Sequence, residues 1–418
     1  MFDLDNWQEI WNTITRNKFR SFLTGFGVFW GIFMLVGLIA IGNGFKGGIN
    51  KLAQGVAENS CFFAAVPTSE PYRGYKRGRS WTMNNKDIEL IKNKAQSVEL
   101  VSPVLIEISS FNNIVRASKT GSFSIRGVYP EEFIIEKMHL LRGRYFNNAD
   151  TEYNKKTCIL GKEVYESMFA VGEDPIGKSI QIKGINYTVV GVISPVSKIS
   201  LDGDVELTVF IPFTTMQLTF QKNNVINFIA CTTKDGYTAN MVEDEVKAIL
   251  RQAHNISPTD DKAVGCFNIE REFLIFRNLF DGTDILTWIV GLGSLLSGVI
   301  GVSNIMLVTV RERTREIGIK RALGAKPYNI VRQIVTESFM LTVIAGLSGL
   351  SFGVFVLEVI RIEMSKHALE DLLFIPPYIN FNPAVLALIA LCFAGLLSGL
   401  IPSVRAIQIK AIDAIREE

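Results

Sequence analysis

Residues 285–310 read ILTWIVGLGSLLSGVIGVSNIMLVTV, and residues 311–325 continue as RERTREIGIKRALGA. The first part has no ionisable side chain and is longer than the roughly 20 residues that cross a hydrocarbon core of about 30 Å. The second part is dense in arginine and lysine, which in short loops mark the cytoplasmic side of a membrane. Together they predict a transmembrane helix that runs directly into a cytoplasmic segment.

Three further runs have the same apolar character and lie at residues 21–42, 338–360 and 383–404. Charged residues are costly in the bilayer, and a soluble core seldom needs more than about 14 apolar residues in a row. A hydrophobic fraction of 48% and a mean hydropathy of +0.24 agree with membrane spans joined to a sizeable polar domain. The sequence thus predicts four transmembrane helices and argues against a purely soluble enzyme.

The distribution of lysine and arginine predicts the orientation. Basic residues precede the first run, fill the segment between the second and third, and follow the fourth, whereas residues 363–382 contain only Lys366. The positive-inside rule therefore places both termini in the cytoplasm. Leu4, Trp7, Trp11 and Ile14 recur at helical spacing, which predicts an interfacial helix before the first span. The predicted order is an interfacial helix at 1–20, transmembrane helices at 21–42, 285–310, 338–360 and 383–404, an extracytoplasmic domain at 43–284, a cytoplasmic loop at 311–337, a short extracytoplasmic loop at 361–382 and a cytoplasmic tail at 405–418.

Small residues recur four apart in each predicted span, which lets helix backbones approach closely within lipid. They are Gly27 and Gly31, then Gly293, Ser297 and Gly301, then Ala345, Gly349 and Gly353, and finally Gly395 and Gly399. Glycine is frequent in membrane helices in any case, so a single pair decides nothing, but four such spans favour self-association. Glu358 and Arg361 lie one helical turn apart near the outer end of the third span, where they are expected to pair or to reach the interface. With no other charge inside the spans, a proton-coupled carrier is disfavoured.

The segment between the first two spans predicts an α+β domain, because it mixes two-residue and 3.6-residue periodicities. Strands are predicted at 61–66, 98–105, 157–160, 179–183, 187–193 and 225–232. Helices are predicted at 85–93, 162–169 and 241–254, and residues 269–280 predict an outward extension of the second span. A Gly/Arg-rich loop at 72–79 separates the first strand from the first helix.

Residues 172–179 match the P-loop pattern G-x-x-x-x-G-K-[ST], in which backbone amides at a helix start hold nucleotide phosphates. A P-loop follows a strand and opens a helix. This segment instead follows a helical pattern and opens an alternating strand pattern. It therefore predicts a turn that leads into a hairpin, and no nucleotide site.

No catalytic or metal-binding constellation is evident elsewhere. The three histidines lack metal-ligand spacing, and they are His139, His254 and His367. Cys61, Cys158 and Cys231 each lie in an apolar strand pattern, which is typical of buried free thiols, so we assign no disulfide. We expect no catalytic residue, no bound metal and no cofactor in this chain.

One span, a large exterior domain and three further spans resemble the permease subunits of MacB-type and lipoprotein-releasing ABC transporters, the FtsX-like superfamily. The exterior segment is accordingly similar to a MacB-like periplasmic core domain. The most specific motif is at residues 304–325, which include RERTREIGIKRALGA. NKFRSFLT at 17–24, DPIGK at 174–178 and Pro402 with AIR at 414–416 are weaker matches. Ala411 and Ile415 depart from the family pattern, which usually has proline and leucine there.

From residue types alone, residues 311–332 are either a basic loop that fixes topology or a helix suited to contact a partner. Glu316 and Lys320 have the i, i+4 order that favours ion pairing, and Gly324 followed by Pro327 predicts the helix end. The resemblance favours the second interpretation, because the family's coupling element contacts its ATPase at this stretch. It implies ATPase-coupling roles for Arg311, Glu312, Arg315, Glu316, Ile317, Gly318, Lys320, Arg321, Ala322, Leu323, Gly324 and Ala325.

The resemblance further implies a half-transporter of the bacterial inner membrane that dimerises and recruits a cytoplasmic ABC ATPase. Because no nucleotide-binding domain precedes Met1, we expect ATP and magnesium to bind in a separate ATPase subunit. Hydrolysis is expected to move the exterior domain by mechanotransmission and to export antibiotics, peptides or similar substrates. The partners implied are a second copy or a second related permease, membrane lipid, a periplasmic adaptor and an outer-membrane channel, and no nucleic acid. Two alternatives are a lipoprotein-releasing permease and an FtsX-like signalling relay to a cell-wall hydrolase.

Overall fold

A computed structural model describes residues 18–107, 113–197, 203–222, 224–366, 375–379 and 381–408. The predicted interfacial helix before residue 18 and the tail beyond residue 408 lie outside the described residues. The chain divides into two compact units. One comprises Asn50–Arg277 and is called the α+β domain. The other comprises the residues before and after it and is called the helical unit.

Within the described residues, four helices are long and apolar enough to cross a membrane. They are α1 (Lys18–Ala53), α8 (Ile269–Glu312), α10 (Pro327–Lys366) and α11 (Phe381–Ile407), with the short helix α9 (Thr314–Ala322) between α8 and α10. Each of the four contains one of the predicted apolar runs, and α8 extends without a break through the predicted outward segment. The fold class of four transmembrane helices plus an inserted α+β domain is confirmed.

The helical unit packs through one apolar core. Val28 and Ile32 of α1 meet Leu295, Val299 and Val302 of α8 in this core, and α10 packs along α11. Within lipid there is no water to exclude, so association of such helices depends on close van der Waals contact rather than on apolar burial alone. Glycine at the crossings therefore matters more here than in a soluble bundle.

The α+β domain contains one large sheet with short helices. Its strands are β1 (Ser60–Ala65), β2 (Val98–Glu107), β3 (Ile114–Arg116), β4 (Lys119–Gly121), β5 (Ser124–Val128), β6 (Met138–Gly143), β7 (Thr157–Gly161), β8 (Ser179–Ile182), β9 (Ile185–Pro195), β10 (Thr208–Pro212), β11 (Phe228–Thr233) and β12 (Val264–Asn268). Its helices are α2 (Asn85–Lys94), α3 (Glu132–Ile135), α4 (Asn148–Glu152), α5 (Lys162–Met168), α6 (Phe213–Thr219) and α7 (Ala239–Ala253). The strand order is β12-β1-β11-β2-β5-β10-β7-β9-β8-β3-β4, with β6 beside β9. Only β5–β10 and β7–β9 pair in parallel among the described strands.

The helices cover the sheet with their apolar faces. In α7, Val242, Val246 and Leu250 recur at helical spacing and are buried in the main core. The same core takes in Cys61, Cys158 and Cys231, which are buried free thiols as predicted. A second, smaller core gathers around Phe133 and Phe210. Cores of this size hold the domain together without a disulfide among the described residues.

All six predicted strands and all three predicted helices of the α+β domain are confirmed, with ends shifted by a few residues. The sequence missed β3, β4, β5, β6, β10 and β12, together with α3, α4 and α6. The strands β3 and β4 have three residues each, too few to show a period. In β10 every residue is buried, so its apolar run shows no alternation.

Candidate coupling site

The site begins where the second transmembrane helix breaks. Arg313 separates α8 from α9 and has φ −96° and ψ 12°, outside the helical range. The hydroxyl of Thr314 donates to the carbonyl of Arg311 at 2.7 Å. The side chain thus supplies a hydrogen bond to a carbonyl near the break in the helical hydrogen-bond pattern. The chain therefore turns at Arg313 without leaving that carbonyl unsatisfied.

The side chain of Arg313 ties this break to α10. Its Nη1 lies 3.4 Å from Oε2 of Glu337, and the two side chains are 27% and 5% exposed. Apolar residues of all three helices surround the pair, with Val310 from α8, Ile317 from α9 and Ile334 from α10. A carboxylate in such surroundings depends on its cationic partner, because removing one member of a buried pair leaves an uncompensated charge.

A second arginine ties the other end of α9 to α11. The guanidinium of Arg321 donates to the carbonyl oxygen of Ile407 at 2.6 Å. Ile407 is the last residue of α11, where unsatisfied carbonyls and the negative end of the helix dipole favour a cation. The short helix α9 is thus held to α8 by the chain, to α10 by Arg313 and to α11 by Arg321.

The C-terminus of α9 is closed by a Schellman motif. The amide of Ala325 donates to the carbonyl of Lys320 at 3.0 Å, and the amide of Gly324 donates to that of Arg321 at 3.0 Å. Gly324 has φ +91°, a conformation that glycine adopts without strain. The predicted helix end at Gly324 is confirmed, and α10 begins at Pro327.

The two faces of α9 differ sharply. Ile317 and Gly318 are buried against the bundle. On the other side Ile319 and Leu323 are 45% and 83% exposed, and Tyr328 just beyond the turn is 70% exposed. These three residues, Ile319, Leu323 and Tyr328, are called the outer face. It is an apolar surface that nothing among the described residues of the chain covers.

The remaining residues predicted to couple lie mostly in solvent. The exposed ones are Arg311, Glu312, Arg315, Glu316, Lys320, Ala322 and Gly324, while Ala325 is half-buried. Lys320 reaches towards Gln333 of α10, with 3.5 Å between Nζ and Oε1. Sequence reasoning missed the roles of Arg313 and Glu337. The available signal was a single acid directly before the apolar run that starts at residue 338.

Most of the predicted packing glycines lie at contacts within the chain. A Cβ on Gly27 would lie 3.1 Å from Cα of Gly298, and one on Gly349 would lie 2.5 Å from the carbonyl oxygen of Phe29. Close neighbours also surround Gly31, Gly353, Gly395 and Gly399. These contacts account for six of the eight predicted glycines without a second copy. Gly293 and Ser297 are exposed, and a Cβ on Gly301 would meet no atom within 4 Å.

The P-loop match is a turn, as the sequence analysis concluded. It follows α5 and leads into β8, and no helix opens after it. Nζ of Lys178 lies 2.5 Å from Oε1 of Glu173, so the lysine is paired. Arg116, the backbone amide of Ala170 and Lys178 together lower the pKa of Glu173 to about 2. A nucleotide site has no support in this geometry.

Comparison with known families assigns both parts of the chain. Residues 21–249 match the family model of the MacB-like periplasmic core domain, and residues 288–411 match that of the FtsX-like permease C-terminal domain. The chain belongs to the MacB-like permease family. This MacB-like permease is therefore a multi-pass membrane protein with an extracytoplasmic domain, of a family of ABC transporter permeases.

Curated relatives of the MacB-like permease are export proteins. It is 26% identical over 417 residues to the pyoverdine export ATP-binding/permease protein PvdT of Pseudomonas syringae pv. tomato, covering 99% of this chain and 60% of the relative. It is also 26% identical over 425 residues to the macrolide export ATP-binding/permease protein MacB of Marinobacter nauticus, covering 99% of this chain and 62% of the relative. The MacB-like permease thus spans about three fifths of the length of these relatives.

Two solved structures are similar over half of the chain. The periplasmic region of MacB from Actinobacillus actinomycetemcomitans aligns at a TM-score of 0.43 and 19% identity, covering 54% of this chain and 95% of that one. The extracellular domain of the ABC-type transporter YknZ from Gram-positive bacteria aligns at 0.41 and 17% identity, covering 50% and 100%.

Proposed function

We propose that this MacB-like permease couples ATP hydrolysis in a partner ATPase on the cytoplasmic side to movement of its extracytoplasmic domain, and so exports antibiotics, peptides or similar substrates. Relatives named as pyoverdine and macrolide exporters support the transport class. The basic residues around α9 support a cytoplasmic position for this helix, by the positive-inside rule. Both described ends of the chain then lie on that side.

One observation carries the proposal. The helix α9 is fastened to three membrane helices, through the break at Arg313, the pair with Glu337 and the bond from Arg321 to Ile407. A force applied to its outer face therefore reaches α8, α10 and α11 together. A solvated loop that served only topology would need none of these links.

The outer face supplies the contact for the ATPase. Exposed isoleucine and leucine side chains on and just after α9, with an exposed tyrosine at the start of α10, are of the kind that become buried in a protein interface. The neighbouring cations Arg315 and Lys320 are exposed and would orient an acidic rim of the partner. ATP and magnesium bind in the partner, and this chain transmits the resulting motion.

Mass spectrometry of the complex from native membranes in mild detergent tests the proposal. An ABC ATPase is expected to co-purify with the wild-type chain, and a periplasmic adaptor beside it would mark an efflux assembly. Leu323→Asp should release the ATPase, because it puts a charge into the outer face. Leu218→Asp is the matched control, since Leu218 is 63% exposed in the α+β domain.

The outcomes separate the alternatives. A second, non-identical permease in the complex would favour lipoprotein release over efflux. Absence of any ATPase from the wild-type complex would refute the coupling function. Retention of the ATPase by Leu323→Asp would place the contact elsewhere.

A further inference from the structure

The loop between β1 and α2 carries a cluster of basic and tyrosine residues that has no role in the proposed coupling site. Residues 72–79 read YRGYKRGR, and we call them the basic hairpin. The backbone of Tyr72 and that of Tyr75 exchange two hydrogen bonds, at 3.1 and 2.9 Å. Between them Arg73 has φ 48° and Gly74 has φ 85°. Two central residues with positive φ make this the tight two-residue turn of a β-hairpin.

Arginine is an uncommon choice at the first central position. Left-handed backbone is unfavourable for a residue with a Cβ, and asparagine is preferred there. The guanidinium of Arg73 donates to Oδ1 of Asn255 at 2.9 Å, which holds the residue in place. The tip of the turn therefore carries a fixed cation, Arg73, at a position where a residue such as asparagine would adopt the same backbone with less strain.

The base of the basic hairpin is rigid. The carboxylate of Asp260 is buried and accepts hydrogen bonds from the amide and hydroxyl of Ser69, both at 2.7 Å. The guanidinium of Arg79 donates to the carbonyl of His254 at 2.5 Å and lies 4.0 Å from the ring centroid of Tyr75. A surface that is already ordered loses little conformational entropy when it binds.

The basic hairpin itself carries an excess of positive charge. There is no acidic residue from Pro71 to Asn85. Lys76 and Arg77 are exposed, and their side chains make no hydrogen bond or ion pair within the described residues. A groove beside the tip is lined by Tyr72 and Arg73 and by Arg251, Asn255 and Pro258 of the adjoining segment, and Arg251 is paired with Asp261 at 3.2 Å.

We propose that the basic hairpin and this groove dock an acidic segment of a protein partner. Tyrosine and arginine are, with tryptophan, the residues enriched in interface hot spots, and here they are prearranged beside a concave surface. An anionic lipid surface fits less well, because the hairpin has no tryptophan, phenylalanine or leucine to insert between headgroups. The proposal concerns the α+β domain alone and does not depend on recruitment of an ATPase.

Site-specific photo-crosslinking tests it on the full-length chain in intact cells. p-Benzoylphenylalanine replaces Tyr75, which is 47% exposed at the hairpin, or Tyr153, which is 73% exposed elsewhere on the domain and serves as the control. Illumination is followed by mass spectrometry of the cross-linked peptide. We expect an adduct at position 75 whose partner peptide is rich in aspartate and glutamate, and no such adduct at position 153.

Charge reversal provides the second arm. Lys76→Glu with Arg77→Glu should lower the yield at position 75 at least about tenfold, because like charges across an interface repel. Lys156→Glu with Lys162→Glu is the matched control, since both lysines are exposed on the same domain, and it should leave the yield unchanged. Lysine in place of the acids of the cross-linked segment should restore the yield of the reversed hairpin. A phospholipid adduct, a partner peptide without excess acid, no adduct at position 75, or equal yield from the reversed hairpin would overturn the proposal.

Discussion

The pair between Arg313 and Glu337 makes the sharpest prediction, because the structure suggests both its strength and its role. The perturbation is a double-mutant cycle of Arg313→Met, Glu337→Leu and their combination. Each single change removes one member of the ion pair and leaves the other charge in its partly buried position. The combination replaces both charges by apolar side chains that suit the surrounding Val310, Ile317 and Ile334.

The expected magnitude follows from the burial of the two groups. Breaking a buried pair by removing one partner costs about 3–5 kcal/mol, whereas replacing both members is often close to neutral. Arg313 is 27% exposed and the pair is 3.4 Å long, so we expect each single variant to lose about 3 kcal/mol of unfolding free energy. If the two residues acted independently, their losses of unfolding free energy would add to about 6 kcal/mol in the double variant. Interacting residues should leave the double variant no less stable than either single one.

Titration of SDS into mixed micelles of the purified chain measures these free energies of unfolding. The result that would refute the reasoning is a double variant that loses the sum of the two single losses. A functional readout distinguishes positioning from stability. We expect the double variant to keep its fold and to bind the ATPase, while ATP hydrolysis no longer drives export, since the ion pair that ties the break before α9 to α10 is gone.

Three further predictions concern other parts of the chain. Gly349→Ala should destabilise the helical unit by about 1–3 kcal/mol because its Cβ would lie 2.5 Å from the carbonyl oxygen of Phe29, whereas Gly301→Ala, with open space, should be neutral or slightly stabilising in the same SDS titration. The pKa of Glu173 is lowered to about 2, so its ion pairs with Arg116 and Lys178 should stabilise the α+β domain above the ordinary carboxyl range and be lost as pH falls towards about 2. The difference in Tm between wild type and Glu173→Gln should therefore shrink between about pH 5 and pH 2, and a difference independent of pH would contradict the assignment. Lys178→Ala should leave ATP binding and hydrolysis by the assembled complex unchanged, and a large loss in an ATPase assay would reinstate the P-loop.

What could be predicted from the sequence is what depends on neighbours in the chain. The hairpin of β8 and β9 was predicted because alternation on both sides meets at Gly184, which has φ +83°. The end of α9 was predicted because Gly324 and Pro327 are local stop signals. In contrast, β10 lies between β5 and β7, and its pairing depends on residues that are 49 or more positions away. A pattern within a few neighbouring residues does not indicate with which distant strand β10 will pair.

The small residues of the spans illustrate the same limit. Their four-residue spacing correctly indicates faces that allow close approach, yet it does not say which helix approaches. Gly27 meets Gly298 of the same chain, although the predicted row on that helix consists of Gly293, Ser297 and Gly301. The residue of α8 that packs against Gly27 is therefore Gly298, which directly follows Ser297 of the predicted row. Self-association needs its own evidence, because most of the small residues already have partners.

The coupling site combines both kinds of information, which explains why only half of it was predictable. Part of the outer face follows from the sequence, since the resemblance implies a coupling role for Leu323, whereas Ile319 and Tyr328 are not among the residues that it implies. The ion pair between Arg313 and Glu337 does not follow from the sequence, because the two residues are 24 positions apart and meet only when α8 breaks and α10 packs beside it. A helix with an outer face alone could bind an ATPase but would swing freely about the break. In the proposed coupling, the links from Arg313 to Glu337 and from Arg321 to Ile407 convert binding at the outer face into a displacement of the membrane helices. The residues that are least predictable from the sequence would then carry the mechanical part of the proposed function.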